Sequence, residues 1–367
     1  MRRRLQKRRW TLLCFLTAMT VLPLSAVIHK GSSEQPFAAA SLCTKTQDVT
    51  SAALWNVCSS GYGWEEETVP ETEAAILPAA PSADPGEKPY PKDWTVSSDT
   101  VIQRTSYGTY SGTRFFSLFT AGQVQNKTNI SNNTLIAEST AAPDFTITAD
   151  GSPEVLIMHT HTTESFEPYV REHFDPNFNY RTTDPAYNMI SVGDAITAQL
   201  EAAGIGVIHN TTIHDYPSYN GSYDRSAATV KEILAQYPSI RVVLDIHRDA
   251  IQDGNTLKQP VVEINGKESA QVMIISGCDD GTMNMPNYMK NYHFACRLQE
   301  NMEGMFPGLT RPILFDYRHY NQDLTTGSLL LEIGTHGNTL EQAQYAGELV
   351  GKSLAQTLLK EKENSNP

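Results

Sequence analysis

Three apolar runs in this 367-residue chain end in side chains that titrate or bind metal. VLIM runs into His159-Thr160-His161-Thr162-Thr163-Glu164, VVL into Asp245-Ile246-His247-Arg248-Asp249, and LLL into Glu332-Ile333-Gly334. Two histidines and a carboxylate facing an open position suit a catalytic zinc ion, which keeps three protein ligands and one water. A further carboxylate then serves as general base toward that water. His161-x-x-Glu164 with His247 far downstream has the His-x-x-Glu…His spacing of several zinc hydrolases. Spacing alone is a weak signal, and the coincidence of three strand ends strengthens it.

The carboxylate ligand is open between two residues. Local spacing favours Glu164; Asp184, in RTTDPAYN, opens a helix and has capping as its structural alternative. His159 and His161 lie close along one run, and one of the two is expected to bind metal. Glu332 lies inside an apolar strand, where an unpaired carboxylate is costly. It is the expected general base, with an ion pair to Arg248 as the structural alternative. Arg248 would orient that base or hold a substrate carboxylate, and Asp249 reads as a loop cap. In HNTTIHDYPSYNGSYDRS, His214, Tyr219 and Arg225 are candidate substrate contacts, against plain turn chemistry. Serine or cysteine nucleophile schemes find no partnered arrangement in GSLL or SGCDD.

The elements that must position these residues alternate. From Ser152 onward, apolar runs (VLIMHTH, GIGVIHN, RVVLDIHRDA, AQVMIISG, GSLLLEIGT) are interleaved with helical patterns such as SVGDAITAQLEAAG, SAATVKEILAQYP, NYHFACRLQENMEGMFPG and LEQAQYAGELVGKSLAQTLLKEK. This predicts an α/β fold, a largely parallel twisted sheet flanked by helices on both faces, with its site at the carboxyl ends of the strands. KQPVVEINGKESAQVMIISG reads as an antiparallel hairpin turning at Asn265-Gly266 and appended to that sheet.

Ahead of residues 152–361, the expected catalytic domain, three segments differ in character. Residues 93–151 hold short alternating stretches, among them TRFFSLFT and NTLIAEST, and read as a small β-rich segment or strands packed on the main domain. Residues 31–92 are rich in Ala, Ser, Pro, Glu and Thr and read as a flexible linker. Residues 1–30 join a basic tail, MRRRLQKRRW, to an uncharged run from Thr11 to Ile28. That run is about the minimum for a hydrocarbon core roughly 30 Å thick. The basic flank would stay cytoplasmic and send the rest outside. A cleaved signal peptide ending near Ala38 to Ala40 is the competing reading, with an anchor preferred. Cys43 and Cys58 could pair in that oxidising setting or remain free thiols, and no CxxC spacing supports a cysteine zinc site. The net charge of -13 argues against nucleic acid and against bulk attraction to an anionic wall polymer, so such a substrate must be recognised locally.

From about Ser152 to Lys360 the chain resembles the stage II sporulation protein P family. VLIMHTHTTES, NMISVGDAI, HDYPSYNGSYDRS, YPSIRVVLDIHRDA and GSLLLEIGTHGNTLEQA carry the resemblance. That family is similar to the zinc N-acetylmuramoyl-L-alanine amidases, with an α/β fold around one zinc ion. The resemblance implies cleavage of the amide between muramic acid and L-alanine of peptidoglycan, and cutting of stem-peptide crosslinks as well. It also implies work during forespore engulfment, in the space between mother cell and forespore, with stage II sporulation proteins D and M as partners, the former a lytic transglycosylase. By position, THTTES at His161 resembles the first histidine ligand, DIHRD at His247 the second, and LEIG at Glu332 the catalytic glutamate. The departure is at the carboxylate, which the amidases take from near a helix start; that would favour Asp184, whereas local spacing favours Glu164, and Glu164 is narrowly preferred. A zinc carboxypeptidase using Arg248 or Arg225, and a wall-binding scaffold without metal, are the alternatives to an amidase.

Overall fold

In the computed structural model the described residues are 98–362 together with one strand at Ala74–Ile76. The basic tail, the apolar run, Cys14, Cys43 and Cys58 lie outside them, and Cys278 and Cys296 are buried free thiols. Among the described residues no helix is long and apolar enough to cross a membrane.

In chain order the elements are β1 (Ala74–Ile76), β2 (Val101–Tyr107), β3 (Phe115–Ser117), β4 (Gln123–Asn126), α1 (Asn132–Glu138), β5 (Pro153–Met158), α2 (Met189–Ala202), β6 (Gly206–His209) and α3 (Ser222–Gln236). There follow β7 (Val242–Asp249), β8 (Gln252–Asp253), β9 (Thr256–Ile264), β10 (Lys267–Ala270), β11 (Val272–Gly277), α4 (Tyr288–Met305), β12 (Ile313–Asp316), β13 (Gly327–Thr335) and α5 (Leu340–Lys360).

The main sheet has eight strands in the order β3-β4-β12-β11-β13-β7-β5-β6. It is mixed: β3 with β4 and β11 with β13 are antiparallel, and the other pairings are parallel. The strands β5, β7 and β13, which carry the candidate residues, are consecutive neighbours. On one face Val155, Ile157, Leu244, Ile246, Leu331 and Ile333 join residues of α2, α4 and α5 in the main core. The alternate positions Leu156, Met158 and Val243 pack beneath Val230 of α3 on the other face. One helix therefore covers that face only in part, and the polar positions of β7 and β13 open onto it. Helix α5 begins with a capping box between Thr339 and Gln342. It lies close to α2 because Gly347 and Gly351 face it: a methyl group at Gly351 would stand 2.8 Å from the Ile196 carbonyl oxygen.

Three expectations are corrected here. The Asn265-Gly266 hairpin exists, with φ of 53° and 75° as a type I′ turn requires. It belongs, however, to a second sheet, in which β2 pairs with β1 and β9, and β9 with β8 and β10. NTLIAEST forms α1 rather than a strand, because the Ser131 side chain caps the Thr134 N–H and the helix buries Leu135. Ala74–Ile76, within the stretch read as linker, pairs antiparallel with β2, which offers it free backbone groups at a sheet edge.

Candidate active site

Glu332 and His247 are directly paired positions on the parallel neighbours β13 and β7, so their side chains rise from the same face. His161 follows β5, whose Met158 pairs with Asp245 of β7. The His161 and His247 rings meet edge to face with centroids 5.1 Å apart. Glu164 reaches the same place: its Oε2 stands 3.8 Å from His247 Nδ1 and accepts the Arg248 backbone N–H at 3.1 Å. All three side chains are buried.

Asp245 backs the site. Its Oδ1 lies 2.8 Å from His247 Nε2, out of line for a full hydrogen bond, and its carboxylate accepts the N–H and hydroxyl of Thr160. Burial opposes charge on His247, yet Asp245 outweighs it, and the pKa is pushed up to about 9. His161 moves the other way, held well below its ordinary value by burial and by the neighbouring His247. Glu332 is pushed up to about 8 by burial and by the Asp249 carboxylate. Its side chain is half-buried, but Oε2 is shut off from water and has no hydrogen-bond partner.

The remaining candidates divide. Tyr219 stacks on His161 at 4.5 Å, and its hydroxyl meets His161 Nε2 at 3.1 Å. Asp184 is exposed and accepts the Ala186 N–H, away from the site, while Asn188 caps α2. His214 is buried, donating from Nδ1 to the His159 carbonyl at 2.8 Å. Arg225 clamps its own loop through the carbonyls of His214, Ser218 and Asn220. His159 meets His209 at 2.9 Å instead; β5 ends at Met158, and the turn that follows, not strand alternation, carries His161 away from it to the site.

Arg248 makes no ion pair with Glu332. Its guanidinium is buried and donates to the carbonyls of Ser165 at 2.8 Å and Tyr180 at 3.0 Å. Arg248→Ala should therefore lower stability by about 1–3 kcal/mol, because the Ser165 carbonyl is left unpaired while that of Tyr180 keeps the Ser165 N–H. Urea unfolding reads this directly; wild-type stability with lost activity would return Arg248 to the chemistry.

Sequence reasoning missed Arg181, Asp215, Asp245 and Tyr223. Arg181 bridges Asp215 at 2.8 Å and Glu164 at 3.6 Å and lies over the Tyr219 ring. These contacts join separate loops, so no local spacing announces them. The alternation of Asp245 with His247 on β7 was the one signal available in the sequence.

Among the described residues no three His, Cys, Asp or Glu side chains already stand around one point as a formed metal centre. His161 Nε2 is on the Tyr219 hydroxyl, and Glu164 is shared by Arg181 and the Arg248 N–H. In kind, two imidazoles and a carboxylate are the donor set of a catalytic zinc site. The unpartnered, buried Glu332 Oε2 leaves bonding capacity there that protein does not fill.

The model of the family "Stage II sporulation protein P (SpoIIP)" matches residues 115–355. A stage II sporulation protein P from Bacillus subtilis (strain 168) is 35% identical over 205 residues, 52% of this chain. The chain spans about half of that relative, 48% of its length. Similar solved structures include an N-acetylmuramoyl-L-alanine amidase of Nostoc punctiforme, with 12% identity and a TM-score of 0.36 over 57% of this chain and 97% of that one. The CwlD amidase from Clostridioides difficile, in complex with the GerS lipoprotein, has 12% identity and a TM-score of 0.34 over 57% and 98%. With the family model matching well over half of its length, the chain belongs to the stage II sporulation protein P family.

Proposed function

We propose that this protein is a zinc-dependent peptidoglycan hydrolase that cuts the amide between N-acetylmuramic acid and the L-alanine of the stem peptide during sporulation. The observation that carries this reading is the convergence of His161, Glu164 and His247 beside Glu332 at the carboxyl ends of three adjacent strands. Family membership supports the sporulation setting.

His161, Glu164 and His247 would hold the metal. A bound zinc ion supplies Lewis-acid activation of water and of the amide carbonyl. Glu332 takes the proton of the attacking water and returns it to the departing nitrogen. A pKa raised to about 8 gives it the proton affinity that a base and then an acid need near neutral pH. Asp245 behind His247 fixes that ring's orientation. A carboxypeptidase is less well supported, since Arg248 and Arg225 are both spent on backbone carbonyls and offer no free fork to a terminal carboxylate. The run from Thr11 to Ile28 would anchor the enzyme, with its catalytic part outside the membrane. By family resemblance, stage II sporulation proteins D and M are its expected partners.

Purified sacculi digested by the full chain in detergent test the reading. Mass spectrometry should find free stem peptides starting at L-alanine and glycan strands stripped of them. Products trimmed only at the peptide's carboxyl end would contradict it.

A further inference from the structure

We propose that Tyr223 is a further catalytic residue of this site, its phenolic hydroxyl donating a hydrogen bond to the amide oxygen as negative charge develops there. The inference rests on the amidase reading above and adds a residue to it.

Tyr223 is the second residue of α3, whose first turn faces the ends of β5 and β7: the Ser222 hydroxyl oxygen stands 3.5 Å from His161 Nδ1. The Tyr223 ring meets His161 edge to face at 5.5 Å and lies parallel to His247 at 6.4 Å, inclined by 9°. It therefore lies beside both candidate histidine ligands. Tyr320 stacks on it at 5.3 Å. Tyr320 and Asn321 adopt left-handed φ values of 43° and 55°, unusual for residues with side chains. That turn brings the Asn321 amide to the Tyr223 carbonyl at 2.9 Å and to the Ser226 hydroxyl at 3.1 Å. Ring and backbone are thus both fixed.

The hydroxyl is uncommitted. Tyr219 spends its own on His161, and the Tyr320 hydroxyl accepts from Arg318. No hydrogen bond joins the Tyr223 hydroxyl to any described residue, and it lies within electrostatic reach of Asp245 and Glu332. A phenol is protonated at neutral pH and can donate. A donor held in place before charge develops stabilises a tetrahedral oxyanion without reorganising, and loss of one such donor lowers kcat by about 10²–10³-fold. The proton stays on Tyr223; the step is a hydrogen bond, not a transfer.

Tyr223→Phe keeps the ring stacks and removes only the donor. Full chain in detergent, loaded with zinc, should be assayed on a soluble N-acetylmuramoyl tripeptide. The inference expects kcat to fall about a hundredfold, with KM and zinc content at wild-type values. A kcat within about twofold of wild type overturns it and leaves the amidase reading standing. A variant that loses zinc also overturns it, since the residue would then be structural. Zinc-loaded wild type that leaves the tripeptide intact overturns the amidase reading and this inference with it.

Discussion

Glu332→Gln should leave the folded protein and its zinc content close to wild type while wall cleavage falls by at least about a hundredfold. The side chain keeps its shape but can no longer accept a proton. General acid–base help is worth about 10²–10⁴-fold in rate, or roughly 3–5 kcal/mol of barrier. A structural carboxylate would behave differently, because its removal leaves a buried partner unpaired. Glu332 has no such partner: Arg248 is bonded elsewhere, and Oε2 is unsatisfied. Melting temperature, zinc content and peptide release measured on one preparation separate the two roles. A variant that melts early and still cleaves at a near-normal rate would remove Glu332 from the chemistry.

His161→Ala and His247→Ala should each abolish cleavage and purify nearly zinc-free. Each removes one of three ligands, and a catalytic zinc site has none to spare. Glu164→Ala should fall with them, whereas Asp184→Ala should keep its metal, because Asp184 is exposed on a loop and caps a local turn. Metal content of the four variants, measured beside their circular dichroism spectra, reads the ligand set. Full zinc in Glu164→Ala with loss in Asp184→Ala would reverse the assignment.

Much of the site was legible because strand ends are local features. The runs before His159, Asp245 and Glu332 announce β5, β7 and β13, but the turn after Met158 that separates His159 from His161 has no such signal. Glu332 looked buried in an unbroken apolar strand. Its neighbours Leu331 and Ile333 do face the main core, but Glu332 follows Leu330 onto the opposite face, which α3 covers only in part. A continuous apolar run hides which of its two faces is the open one. Arg181 and Tyr223 were illegible for another reason. One comes from the loop before α2 and the other from the first turn of α3, and only tertiary packing brings them to His161. In residues 93–151 the short apolar stretches looked alike, and the Ser131 cap, a side-chain bond to the Thr134 N–H, decided for helix in NTLIAEST.

Wall cleavage should require one zinc ion held by His161, Glu164 and His247. The most direct measurement is zinc content of the purified full chain, followed through chelation and reconstitution alongside release of stem peptides. The purified chain should hold one zinc, lose release on chelation, and recover it as the first equivalent of zinc is added back. A chain that holds no zinc, or that releases stem peptides undiminished after chelation, would contradict it.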